Sequence, residues 1–243
     1  MEPLKPTYEV FACGSPNVTK VALCLAELGQ DWEEVWIDVT RGEQHRPAFL
    51  EVTINGRVPV LVDYRPADGG DPVKVWESGA ILLYLSEKHG RFVPDEPRAR
   101  AEVMTWLFWQ MASLGPMSGQ NAHFVQYEPP ESDYSQHRYH AEVERLYRVL
   151  DRQLDRRDFI CRDYSIADMA CYPWIRYHRF LRHDMSALPA LSAWAERMAA
   201  RPAVVTAYER MARQPISIAD TAERWNAMKP DRGLEALIAL EGR

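Results

Sequence analysis

A small mixed α/β unit followed by an all-helical unit is the fold class that this 243-residue sequence predicts. Three observations carry the prediction. Short runs of β-branched and aromatic residues alternate with helical patterns as far as about residue 90. Strand signals then stop. Long stripes of apolar residues at helical spacing fill the remainder.

Taken in order, Tyr8 to Cys13 (YEVFAC) reads as a strand. Val18, Val21, Ala22, Leu25 and Leu28 then recur at helical spacing, and Gly29 stops the helix. Trp32 to Asp38 is a second strand. Val58 to Val62 and Val73 to Trp76 are two more, joined as a hairpin by the turn-rich PADGGDP. Ser78 to His89 reads as a helix with Ile81, Leu82 and Leu85 on one face. The order βαβ then ββα implies a small mixed sheet flanked by helices. The sheet unit is expected to occupy residues 1–90, with a linker at 91–98 (RFVPDEPR), a helical unit at 99–215 and a tail at 216–243.

In the helical unit, Met104, Leu107, Phe108, Met111 and Leu114 keep helical spacing until Gly115-Pro116, where the pattern is expected to break. Val143, Leu146, Tyr147, Leu150 and Leu154 form a second stripe, and Leu188, Leu191, Trp194 and Met198 a third. Between these two, Ser165-Ile166-Ala167-Asp168 has the form of a capping box. The tail holds one weak helical run from Gly233 onward.

Composition narrows the function classes. With 47% hydrophobic and 26% charged residues the chain is globular, not disordered or collagen-like. A net charge of −6 argues against nucleic acid as the main partner. The longest apolar run, Ala80 to Leu85, falls far short of the ~20 residues that cross a bilayer. MEPLKPTYEV lacks the apolar core of a secretory signal. Cys13, Cys24, Cys161 and Cys171 lack metal-ligand pairing and read as reduced thiols, so a cytoplasmic protein is expected.

Three turns are chemically suggestive. Gly14-Ser15-Pro16-Asn17 joins the first strand to the first helix, and the field of a helix N-terminus there favours an anion such as a thiolate; the plainer account is that Ser15 or Asn17 caps the helix. Glu77-Ser78-Gly79 is a second strand-to-helix turn, suited to a carboxylate or simply to capping. Val58-Pro59 puts proline where a central strand is expected, which implies an edge, a bulge or a cis bond. A cis bond would turn the Val58 backbone outward, to pair with an extended peptide.

In this order, ahead of an all-helical half, the segments FACGSPNVTKVAL, NGRVPVLV, WESGAILLYLSEK and YSIADMACYPW resemble the cytosolic glutathione transferase family. The resemblance runs from about Tyr8 to about Met211 and implies a thioredoxin-like N-terminal domain, an all-α C-terminal domain and a homodimer. GEQHRPAFL, DYRPADGGDPV and WLFWQMASLGPMSGQNAHF resemble the bacterial nu class in particular, whose members are glutathione-dependent disulfide-bond oxidoreductases.

Residue by residue, the resemblance implies that Asn17 and the Ser15 hydroxyl hydrogen-bond a glutathione sulfur; the nu class often has threonine where Ser15 stands. It implies that Gln44, with Arg46 just beyond, contacts the glycyl end, and that Val58 pairs with the cysteinyl backbone beside cis-Pro59. Glu77 and Ser78 are implied to hold the γ-glutamyl amine and carboxylate. Arg138, in HRYHAEVERLY, matches an arginine that reaches a carboxylate of a second glutathione; otherwise it is a solvated helix charge. Glutathione, reduced or oxidised, is thus the implied cosubstrate, with no metal.

Catalysis by thiol–disulfide exchange needs a thiolate, whereas a free thiol titrates near pKa ~8.5. Lowering that by two units takes about 2.7 kcal/mol, and one hydrogen bond to a charged group contributes ~1.5–3 kcal/mol. Cys13 is the competing nucleophile: some relatives use a cysteine in this turn, and CGSP loosely resembles a thioredoxin-type site. Its position at the strand end favours a packing role. Cys24 and Cys171 read as packing thiols and Cys161 as exposed beside a polar loop. His137 and His140 have no third ligand spaced to join them and fit a solvated helix face. Trp106, Trp109, His123, Phe124 and Tyr127 are either acceptor-pocket walls or core. Two functions compete with disulfide reduction: conjugation of glutathione to an electrophile, and non-catalytic binding in the same fold.

Overall fold

The computed structural model describes residues 6–125 and 132–215. Tyr127 and the run from Gly233 lie outside the described residues.

The N-terminal unit is built as β1 (Tyr8–Ala12), α1 (Pro16–Glu27), β2 (Glu33–Trp36), a short α2 (Pro47–Leu50), β3 (Val60–Asp63), β4 (Val73–Trp76) and α3 (Ser78–His89). Its sheet has the order β2-β1-β3-β4. β2 runs parallel to β1, as a βαβ crossover requires, and β3 and β4 pair antiparallel. β3 is buried at every position, so its VLVD run carries no alternation. In α1, Ser15 caps the N-terminus and Pro16 opens the first turn, and Gly29 at φ 67° follows its end. Residues 18 to 25 of α1 are all buried, because the helix packs on α3 on one side and on the helical unit on the other.

The helical unit comprises α4 (Pro97–Trp109), α5 (Gly115–Val125), α6 (Asp133–Leu154), α7 (Ile166–Arg176), α8 (Pro189–Ala199) and α9 (Pro202–Met211). The expected break at Gly115-Pro116 does not occur. A π-helical turn, Gln110–Leu114, joins α4 to α5, and the Gly115 N–H reaches back to the Gln110 carbonyl. The wider turn accommodates a proline that lacks an N–H and would crowd an α-helical carbonyl.

Both apolar stripes of the later helices are buried as expected. The capping box at Ser165 forms, with Asp168 accepting the Ser165 N–H at 3.1 Å. One apolar core runs from the sheet unit through α1 into α6, α7, α8 and α9.

Two expectations are corrected. Cys161 is buried, packed into that core together with Ile160. His140 is not on a solvated face: its ring stacks on buried His183 at 4.0 Å, while His137 is exposed. No helix among the described residues is long and apolar enough to cross a membrane, and no metal-binding cluster occurs among them.

Candidate active site

The site grows from the two helix N-termini that the sheet unit aims at the helical unit. At the first, Ser15 adopts extended backbone and its Oγ accepts the Val18 N–H at 3.3 Å. The capping role and a donor role are therefore compatible, since a hydroxyl that accepts one N–H keeps its own proton to donate. Asn17 sits in the first turn of α1. Its Oδ1 accepts a 3.1 Å hydrogen bond from the indole Nε1 of Trp174 in α7. An indole nitrogen only donates, which fixes the amide: oxygen toward Trp174, Nδ2 on the other side as a donor.

Gly14 is covered by the end of the Gln214 side chain. A Cβ there would lie 2.5 Å from the amide atoms of Gln214, which follows α9. Cys13 is partly exposed, but burial of its sulfur pushes its pKa up to about 11, with the Ser15 hydroxyl pulling weakly the other way. A thiol in that range is almost wholly protonated at neutral pH, so Cys13 is a poor nucleophile.

At the second N-terminus, Glu77 has φ 74°, a backbone region that non-glycine residues rarely occupy and that clusters at functional sites. Its carboxylate is exposed and meets Asn55 Nδ2 at 3.5 Å. Ser78 is buried. Gly79 allows α3 to approach the π-helical turn, since a Cβ there would meet Met111 Cγ at 2.9 Å.

The Val58–Pro59 bond is cis. Ladder pairing of β3 starts at Val60, so Val58 lies beyond it. Gln44 is buried in a 3-10 turn, Glu43–His45, and its Oε1 has no hydrogen-bond partner among the described residues. Its backbone carbonyl backs onto Gly56. A continuous chain of neighbours thus links Gln44, the 55–59 loop, Glu77 and Ser78. Arg46 points outward and pairs with Glu43 at 3.0 Å.

Arg138 stands apart. It is exposed on α6, in a cavity of about 520 Å³ with Met117, Tyr134, Tyr139 and Glu142. No described contact joins it to the other candidate residues. The aromatic group also divides: Trp106 and Trp109 meet each other edge to face, half-buried against the core, whereas Phe124 stacks on Tyr139.

Two residues that touch these turns carry no local signal in the sequence. Trp174 orients Asn17 from 157 positions away. Lys20, one turn beyond Asn17, is buried with its ammonium on Ser78 Oγ (3.3 Å) and Gln110 Oε1 (2.8 Å).

Residues 10–97 match the glutathione S-transferase N-terminal domain and residues 108–202 the glutathione S-transferase C-terminal domain. The chain belongs to the glutathione S-transferase family. Among curated relatives, disulfide-bond oxidoreductase YfcG of Escherichia coli is 43% identical over 194 residues, 79% of this chain and 90% of its own. Disulfide-bond oxidoreductase YghU of the same organism is 38% identical over 70% of this chain and 60% of its own. A glutathione transferase family member from Pseudomonas fluorescens, solved with two glutathiones bound, superposes with a TM-score of 0.79 at 32% identity, covering 86% of this chain and 95% of its own. One from Pseudomonas putida, with one glutathione disulfide per subunit, gives 0.78 at 30% identity over 88% and 94%.

Proposed function

We propose that this protein is a glutathione-dependent disulfide-bond oxidoreductase of nu-class type. The observation that carries the reading is the Asn17 amide, held by Trp174 with Nδ2 as a donor beside the Ser15 hydroxyl at a helix N-terminus. These two groups and the field of α1 stabilise a glutathione thiolate. Glu77 and Ser78 hold the γ-glutamyl amine and carboxylate, the Val58 backbone pairs with the cysteinyl residue beside Pro59, and buried Gln44 meets the glycyl end.

The bound thiolate attacks one sulfur of a disulfide. A new sulfur–sulfur bond forms to glutathione while the other sulfur leaves as a thiolate and takes a proton from solvent. A second glutathione, its carboxylate held by Arg138, attacks that mixed disulfide, releasing the second thiol and glutathione disulfide. Two glutathiones thus provide the two electrons, and no protein cysteine is consumed. The unreactive Cys13 fits this scheme.

Assays with hydroxyethyl disulfide and with chlorodinitrobenzene test the reading. Reduction of the first is expected, and turnover of the second alone overturns it. Asn17→Ala is expected to lower disulfide reduction about 10- to 100-fold, in line with loss of one hydrogen bond to a charged sulfur. Full activity in that variant would reject the donor role.

The division at 1–90, 91–98, 99–215 and 216–243 belongs to the same proposal. So does a cytoplasmic location, supported by four unpaired cysteines. A homodimer has support in apolar side chains left exposed, Ile54 at 87% and Phe108 at 66%.

A further inference from the structure

Lys20 is 1% exposed, yet no acidic side chain among the described residues touches its ammonium. Nζ donates to Gln110 Oε1 and Ser78 Oγ and lies 3.7 Å from Met111 Sδ, all neutral groups. Buried lysines are ordinarily paired, because an uncompensated charge away from water is costly. Two titratable groups face it from neighbouring elements. Glu77, at the head of α3, is exposed and turned toward Asn55. Cys171, in α7, is fully buried with its thiol pKa pushed well above the ordinary value, and so is neutral. The Gln110 amide that receives Lys20 leaves its own Nε2 buried without a partner. Among the described residues the direct partners of the ammonium are therefore dipoles, and the exposed Glu77 acts on it only through space.

We propose that Lys20 is the buried counter-charge of the ligand's γ-glutamyl carboxylate: it sets Ser78 as a donor to that carboxylate and gains a proton as the carboxylate arrives. The inference rests on the glutathione reading above and adds a positioning residue to it. Ser78 Oγ accepts from the ammonium, which leaves the serine proton to be donated. That proton is turned to Met111 Sδ at 3.6 Å, a weak acceptor. A carboxylate hydrogen-bonded to Ser78 would lie within about 6 Å of Nζ, close enough to favour the charged amine.

Burial lowers the Lys20 pKa from 10.5 to about 7, so much of the free protein carries a neutral amine above neutrality. Below that pH the ammonium is already present and binding needs no proton from solvent. Above it, binding draws one proton, and affinity falls by up to about tenfold per pH unit.

Titration calorimetry of the full chain with S-methylglutathione tests this, since that ligand has no thiol to ionise. At pH 8, heats in phosphate and in Tris are expected to differ by uptake of nearly one proton in the wild type. Lys20→Arg keeps its charge at every accessible pH; it should retain affinity near pH 6.5, lose the uptake and show a flat pH profile. The ligand's own amine titrates alike in both proteins, so their difference isolates Lys20. Lys20→Met should bind about tenfold or more weakly at pH 6.5. Equal uptake in wild type and Lys20→Arg overturns the inference while leaving the glutathione reading intact. Failure of the wild type to bind S-methylglutathione overturns both. Should Lys20→Met not fold, the Lys20→Arg profile decides alone.

Discussion

At the scale of single residues, the turn between β1 and α1 holds side chains whose freedom has been removed. An asparagine amide can present either end to a ligand, and the wrong end would repel a thiolate. Trp174 decides the matter by donating to Oδ1. Trp174→Phe keeps the aromatic bulk and removes only that bond. Its kcat/KM for disulfide reduction is expected to fall about 3- to 10-fold, which is one neutral hydrogen bond, with a smaller change in glutathione affinity. An unchanged pH-rate profile and rate would mean that the amide is oriented by something else. The strand-to-helix junction at Ser15 and Asn17 was legible in the sequence because such a turn is a local pattern. Trp174 and Lys20 were not. Lys20 lies on a helix that is buried on every side by tertiary packing, and short-range periodicity does not report a second covering layer.

At the scale of elements, close approach of α3 to the π-helical turn brings Ser78 to Lys20. Gly79→Ala puts a methyl group against Met111, at 2.9 Å from its Cγ. Met111 is flexible, so the helix is expected to fold but to shift. Glutathione affinity should drop about 3- to 10-fold with a loss of stability near 1 kcal/mol, measured by calorimetry and thermal melting. Affinity equal to wild type would show that the spacing is not critical. The strands and most helices were legible because two-residue and 3.6-residue periods survive in the sequence. Ends were overdrawn where the apolar run outlasts the pairing: Trp32 to Asp38 reads as a strand, whereas only Glu33–Trp36 pairs with β1. The π turn was illegible for a different reason. Gly-Pro is a local stop signal, and whether a helix widens to pass it depends on what packs around the widened turn.

At the scale of the whole molecule, the two units are fastened through α1 and α9. Arg210 of α9 lies 3.8 Å above the Trp32 ring and binds Glu34 at 2.7 Å, Asp31 at 2.9 Å and the Trp32 carbonyl. Arg201 pairs with Glu27 at 2.6 Å. Arg210→Ala is expected to lower stability by about 1–3 kcal/mol, through a lost half-buried ion pair and cation–π contact. Urea unfolding checks this, and a midpoint unmoved from wild type would show that the apolar core alone joins the units. Such long-range pairs, 176 positions apart, cannot be read from a single chain's local pattern.

Gln214 against Gly14 also has a practical side. β1 runs toward the turn that precedes α1, so its first residue, Tyr8, sits at the far edge of the sheet, whereas the chain leaves α9 right beside that turn. Whatever displaces Gln214 would therefore open the junction that carries Ser15 and Asn17, and whatever pins it there would narrow it.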